Sequence, residues 1–314
     1  MSRIFEALQR SEAERAGVTQ PEPFSLATEL LRNAERSLED AAEIKHHPGV
    51  GGNGVESRIG TATFEEFQTL PIHLAPNSRL ICLTDKESLG AEKFRFLSVR
   101  LRQLQQTRPL KKLLITSTIP EEGKSMVSGN LAAVLSRKKQ QKILLLEGDL
   151  RRPVLSSRFG LGKLPGLTEW LHQEPTPITS IYRLEGLGLW FLPAGKPSDN
   201  PLELMQSGRL STLMDQLAAW FDWVIIDSPP VLPLADTSLW MRLADGILLV
   251  AREGVTQKKQ LQKGLEILES SKLLGMVLNS SSNSDHENYY QRYSSSASPA
   301  EKDAKPVLEL VTEE

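Results

Sequence analysis

The clearest change of pattern in the chain falls between Leu113 and Ala132. Leu113 to Thr116 are apolar or β-branched in succession, as in a strand buried on both faces. Met126 to Ser136 carry apolar residues at helical spacing. Pro120 breaks the first pattern, and Glu121-Glu122-Gly123-Lys124-Ser125 joins it to the second. The alternation continues downstream. Lys142–Leu146 (KILLL), Leu187–Leu192, Asp222–Asp227 (DWVIID), Gly246–Ala251 (GILLVA) and Leu274–Asn279 read as strands. Leu161–Gln173 reads as glycine turns with a short helix, and Pro201–Trp220, Ala235–Leu243 and Gln257–Ser270 as helices. Upstream, Arg79–Thr84 (RLICLT) reads as a strand. A helix from the N-cap Ser88 to Gln105 follows, with Phe94, Leu97, Leu101 and Leu104 as its buried stripe. Apolar strands alternating with helices predict an α/β fold, a mostly parallel central sheet flanked by helices on each side.

The periodicity fades at both ends. Ser2–Gly17 is an amphipathic segment with Ile4, Phe5 and Leu8 on one side; it docks on a partner or the body, or it is a frayed solvated helix. Val18 to Asn77 is polar, with Pro48-Gly49 and Gly51-Gly52-Asn53-Gly54, and reads as a mostly disordered linker. Beyond Ser280 the chain turns polar and Ser-rich. The expected division is a helix and linker over 1–77, a folded body over 78–282 and a flexible tail over 283–314.

Composition narrows the partners. A net charge of −2 over 314 residues gives no reason to expect nucleic acid. The single cysteine, Cys82, allows no internal disulfide and fits a reducing cytoplasm, and the five histidines have no metal-ligand spacing. No apolar run approaches the ~20 residues that span a bilayer. The chain is expected to be cytoplasmic and to reach a membrane only through a partner.

A strand, a tight loop with Gly-Lys-Ser and a helix make a phosphate cradle. Loop amides and the helix N-terminus face the anion, lysine adds a fixed charge, and the serine hydroxyl can ligate Mg²⁺. Thr118 stands where the first glycine of G-x-x-x-x-G-K-[ST] belongs, so this piece alone reads equally as a surface turn. Two other strands end in acids, Glu147/Asp149 and Asp227. Singly, these are salt-bridge partners of Arg151 and Arg152, or a helix cap. Ligands in parallel sheets bind beyond the carboxyl ends of the strands, and a triphosphate with Mg²⁺ needs this lysine, hydroxyl and carboxylate set.

LLITSTIPEEGKSMVSGNLA, ILLLEGDLRRP and FDWVIIDSPPV resemble the deviant Walker A, Walker A′ and Walker B motifs of the bacterial tyrosine kinases of capsular and exopolysaccharide systems. The resemblance extends through LPAGKPSDNPLELMQSGRL, ADGILLVAREGVT and LLGMVLNS, from about Arg79 to Asn279. In that family the missing first glycine is the rule. The resemblance implies a P-loop fold of the partitioning-ATPase type and an ATP- and Mg²⁺-dependent protein-tyrosine kinase. Pro120, Glu121, Glu122, Gly123, Lys124, Ser125, Met126 and Arg151 would contact the nucleotide. Ser125, Asp149 and Asp227 would hold the metal, and Lys124, Glu147, Asp149 and Asp227 would be catalytic. The family usually has Asp at the position of Glu147.

Such kinases phosphorylate tyrosines in their own tails between neighbours in a ring, which implies Tyr289, Tyr290 and Tyr293 as phosphoacceptors. Glu92 and Arg95 match the family's subunit-contact motif, while Ser98 replaces its second arginine. Implied partners are a membrane-anchored polysaccharide chain-length protein, other copies of the chain and a cognate tyrosine phosphatase. Two alternatives stand beside the kinase. A Min- or Par-type ATPase switch carries a lysine where this chain has Ile119, and a nucleotide-binding scaffold would have lost catalysis through Glu147 and Ser98. A nitrogenase-type iron protein is excluded by the single cysteine.

Overall fold

A computed structural model describes residues 67–280 apart from 76–77, 139, 174–177 and 207. The amphipathic segment from Ser2, most of the linker and the tyrosine cluster of the tail lie outside the described residues. Eight strands form one sheet: β1 (Thr69–Leu70), β2 (Lys112–Ser117), β3 (Ile143–Glu147), β4 (Tyr182–Leu184), β5 (Leu189–Leu192), β6 (Trp223–Asp227), β7 (Gly246–Arg252) and β8 (Leu273–Asn279). Their order across the sheet is β1-β4-β5-β3-β6-β2-β7-β8, and every pair is parallel except β4 with β5. The expected mostly parallel sheet is therefore present.

Both faces of the sheet are covered because the central strands carry apolar residues on both sides of the pleat. Leu113 and Ile115 of β2, Leu145 of β3 and Ile225 of β6 enter one core. The helices α2 (Leu89–Thr107) and α3 (Lys124–Leu135) supply Phe94, Leu101, Leu131 and Leu135 to it. Leu114, Leu146 and Ile226 face the other way, against α7 (Arg209–Trp220) and α8 (Asp236–Leu243), where Leu213, Leu217 and Trp240 are buried. One-residue alternation thus divides each strand between two cores. Shorter helices complete the body: α1 (Ile81–Thr84), α4 (Leu155–Arg158), α5 (Leu167–His172) and α6 (Pro201–Met205). The last, α9 (Lys258–Ile267), follows β7.

Three expectations are corrected. Arg79–Thr84 is not a strand: Leu83 and Thr84 N–H close a helical turn on Leu80 O, and Cys82 N–H donates to Asn130 Oδ1 at 2.9 Å. The apolar run is buried by docking on α3, not by sheet pairing. Burial pushes the Cys82 thiol up to about 11, which makes it a core residue. The linker ends earlier than residue 77, because Phe67 is buried and β1 pairs with β4. The helix expected over Pro201–Trp220 is broken into α6 and α7 at Gly208, whose φ of 75° belongs to the left-handed region. Ser88 caps α2 as expected, accepting from Ala91 N–H at 3.2 Å.

Candidate active site

The central strands β3, β6 and β2 deliver their polar ends to one edge. Glu147 stands opposite Asp227 in the β3–β6 register, and Ile115 opposite Asp227 in β2–β6. Gly148 N–H donates to Asp227 O at 2.7 Å, and Trp240 Nε1 donates to Gly148 O at 3.1 Å. A Cβ on Gly148 would lie 2.9 Å from the Trp240 ring and 3.1 Å from Asp227 O, so only glycine lets the two acidic loops approach this closely. The Ser-Pro-Pro turn is pinned to the strand feeding the loop: Thr116 Oγ1 donates to Pro229 O, and Val231 N–H to Ser117 O, both at 2.8 Å.

The loop from Thr118 to Gly123 is organised from within. Glu122 is fully buried; its carboxylate accepts from Thr118 Oγ1 and Ile119 N–H at 2.9 Å and from Thr256 Oγ1. Glu121 takes a left-handed φ of 66° and Gly123 one of 96°. No side chain caps α3 at Gly123, and the first backbone bond returns from Val127 N–H. The first-turn amides of α3 are thus left for a ligand, as in anion sites at helix N-termini.

Above this turn Lys124 Nζ bonds Asp149 Oδ2 at 3.0 Å, with both side chains largely buried. Asp149 Oδ1 also accepts from Arg152 N–H at 3.0 Å. Burial opposes the charge on Lys124, but Asp227 and Asp149 outweigh it and hold the ammonium above its ordinary range. Asp227 is 1 % exposed; Ser128 Oγ donates to its Oδ1 at 3.2 Å, while Oδ2 makes no hydrogen bond. Burial raises its pKa, against the pull of Lys124, Ser125 and Ser128. An unpaired buried carboxylate oxygen costs on the order of 1–3 kcal/mol. Among the described residues no three His, Cys, Asp or Glu side chains cluster to hold a metal alone. A cation that took only Ser125 Oγ and Asp227 here, with phosphate and water as its remaining ligands, would fit the donor set.

Lys124, Ser125 and Asp149 border a cleft of about 660 Å³ that is also lined by Arg252, Asn279, Arg152, Arg158 and Arg79; Asp227 lies buried behind them and does not line it. A larger cavity of about 790 Å³ opens at the opposite ends of the strands, beside Lys142 and Arg183, and contains none of the loop groups.

Of the expected site residues, Pro120, Glu121, Gly123, Lys124, Ser125, Met126, Asp149 and Arg151 line the cleft. Glu122 does not; its carboxylate holds the loop's shape. Arg151 reaches the cleft but is committed to Asp236, with Nε 2.7 Å from Oδ2. Glu147 lies apart from them. Its carboxylate accepts from Leu155 N–H at 2.5 Å, Ala194 N–H at 3.2 Å and Ser156 Oγ at 3.3 Å, and it does not line the cleft. Burial raises its pKa against those donors. In this structure it braces α4 and the chain after β5. Glu92 and Arg95 pair with each other on α2, and Ser98 is buried with Oγ on Arg95 O at 2.7 Å. Sequence reasoning missed Ser128, Arg79, Arg158 and Arg252; Ser128 and Arg252 lie inside matched stretches but at none of their signature positions, and Arg79 and Arg158 come from segments without a motif.

A parallel sheet whose central strands present a Gly-Lys-Ser loop and two converging aspartates defines a P-loop protein with a deviant Walker A motif. The chain is 34% identical over 212 residues to the tyrosine-protein kinase YwqD of Bacillus subtilis (strain 168), covering 67% of this chain and 89% of that protein. It therefore belongs to the bacterial tyrosine-protein kinases. The tyrosine-protein kinase ptk of Acinetobacter johnsonii is 30% identical over 253 residues, which are 80% of this chain and 34% of that longer protein. Among solved structures, the kinase domain of the Escherichia coli tyrosine kinase ETK superposes with a TM-score of 0.59 at 29% identity, over 64% of this chain and 79% of that one. No family model matches the chain.

Proposed function

We propose that this chain is an ATP- and Mg²⁺-dependent protein-tyrosine kinase that phosphorylates Tyr289, Tyr290 and Tyr293 in the tail of a neighbouring copy. The observation that carries the reading is the buried Lys124–Asp149 pair beside the unpartnered Asp227 Oδ2, at the foot of an uncapped helix. Lys124 and the α3 amides would bind the phosphates, with Pro120, Glu121, Gly123 and Met126 shaping the loop around them. Ser125 and Asp227 would hold Mg²⁺, which when bound supplies neutralisation of phosphate charge. Asp149 is tied to Lys124 without nucleotide. Once Lys124 turns to phosphate, Asp149 Oδ2 is released to orient the tyrosine hydroxyl and accept its proton, the role that Glu147 is too engaged to fill.

By its family, the kinase would act in exopolysaccharide or capsule assembly. By the same family membership a membrane-anchored chain-length protein is the proposed activator and the cytoplasmic side of the membrane the proposed place of action; among the described residues no helix is long and apolar enough to cross a membrane. A ring of copies and a cognate tyrosine phosphatase complete the proposal. The test is incubation with Mg-ATP, with and without the partner's cytoplasmic peptide, followed by mapping of phosphotyrosine. Phosphate on the tail tyrosines supports the reading. ATP hydrolysis with no phosphotyrosine under either condition would favour the ATPase switch, and no ATP binding would sink both.

A further inference from the structure

The cations of the cleft divide by whether anything neutralises them. Lys124 has Asp149 and Arg151 has Asp236, whereas Arg252, at the β7 end, has no ion pair among the described residues and donates only to the backbone Glu121 O at 3.4 Å. Arg79, Arg152 and Arg158 form no ion pair with any described residue, and all three line the same end of the cleft. That end follows β3. It is three strand spacings, about 14 Å, from the β7 end that carries Arg252.

Two of the arginines are held next to each other by the fold. Arg158 donates from NH1 to Ser78 O at 3.0 Å, and Arg79 sits in a left-handed φ of 58° with its carbonyl bonded by Asn130 Nδ2 at 2.9 Å. Burial and the neighbouring charge of Arg79 both pull the Arg158 pKa down, opposed by Asp227. Arg152 comes from the Asp149 loop, its backbone N–H on Asp149 Oδ1 at 3.0 Å, so an unpaired arginine follows directly on the aspartate proposed above to face the phosphate acceptor. Like charges gathered without a counter-charge are the pattern of an anion site, and guanidinium forks suit carboxylates.

We propose that Arg79, Arg152 and Arg158 form a subsite for acidic side chains just N-terminal to the phosphoacceptor tyrosine, so that the cleft selects acidic tyrosine peptides. The chain carries such a peptide. Asp285 and Glu287 precede Tyr289 by four and two residues, whereas Arg292 follows. An extended peptide spans ~7–13 Å over those separations, the scale of the cleft's acceptor end. The proposal rests on the reading that the cleft phosphorylates tyrosine.

The experiment measures binding apart from transfer. The full chain with D285N and E287Q, which removes competition from its own tail, is titrated with a fluorescent peptide copy of residues 283–295 in the presence of a non-hydrolysable Mg-ATP analogue. The acidic peptide should bind about tenfold tighter than its D285N/E287Q form. In the Arg79→Gln/Arg158→Gln and Arg152→Gln variants, with unchanged thermal unfolding, that preference should shrink to about twofold or less while analogue affinity holds. Equal binding of the two peptides overturns the proposal. So do arginine variants that weaken the analogue yet keep the preference. A protein that keeps the preference but transfers no phosphate counts against the kinase reading and leaves the subsite standing.

Discussion

Lys124 Nζ lies 3.0 Å from Asp149 Oδ2, inside a site where Asp227 Oδ2 has no partner. The lysine is paired with one carboxylate, and the other keeps one oxygen without a hydrogen bond. Replacing Lys124 with Met keeps most of the side chain's length and removes the charge. Tyrosine phosphorylation should fall by about 10³-fold or more, since electrostatic groups of this kind are worth several kcal/mol in the transition state. Nucleotide affinity, followed with a fluorescent ATP analogue, should fall as well. Activity within tenfold of the unaltered chain would remove Lys124 from the chemistry.

Asp227 makes a pH prediction with a definite sign. Burial raises its pKa in the nucleotide-free protein, so a proton competes with Mg²⁺ for this carboxylate at higher pH than for an exposed aspartate. Mg²⁺-dependent nucleotide affinity should therefore weaken on acidification before the ordinary carboxylate range is reached, and Asp227→Asn should abolish that dependence. For stability, the folded state holds a proton that the unfolded state releases. The contribution of Asp227 is thus favourable at low pH and lost as pH rises through the raised value, and Glu147 has the same sign. Asp227→Asn should raise the nucleotide-free melting temperature by a few degrees, for ~1 kcal/mol gained, and lose the shift on adding Mg-ATP. Calorimetry across pH checks both parts.

Glu147 and Asp149 should separate cleanly. Glu147→Gln keeps an acceptor for only one of Leu155 N–H and Ala194 N–H and puts an amide donor against the other. The fold should lose about 1–3 kcal/mol, measured by urea unfolding, while the molecules that remain folded keep measurable kcat. Asp149→Asn should keep the melting temperature within a few degrees and lose kcat by 10²-fold or more. The reverse pattern would make Glu147 the base.

Glu122→Ala leaves two hydroxyls and the Ile119 N–H without their shared acceptor. Stability should drop by about 2–3 kcal/mol, and nucleotide affinity should fall with it because the loop loses its shape. Unchanged affinity would show that the carboxylate does not organise the loop.

Much of this arrangement was legible in the sequence. The runs LLIT, KILLL and DWVIID have successive apolar residues in their middles with no polar alternation, which marks strands with two covered faces, and the acids that follow or end them located the site's edge. Lys124, Ser125, Asp149 and Asp227 then follow from one loop and two strand ends. The rest depended on contacts far away in the chain. Arg79–Thr84 is apolar enough for a strand, and only Asn130, 48 residues beyond Cys82, makes it a helical turn. Glu147 has a motif position that suggests chemistry, but Ala194, 47 residues on, and the start of α4 absorb its carboxylate. Thr256 does the same for Glu122 from 134 residues away. The edge strand β1 and its neighbour β4, of two and three residues, are too short to carry a period.

The central claim, that the Lys124–Asp149–Asp227 site moves phosphate from ATP to tyrosine, is tested most directly by counting both products in one quenched time course. With the partner's activating peptide present, ADP and phosphotyrosine should appear together, close to one for one in the early phase. The phosphate should sit on Tyr289, Tyr290 or Tyr293, and neither product should form in the Lys124→Met protein. ADP accumulating without phosphotyrosine, or phosphotyrosine persisting in Lys124→Met, would contradict the account.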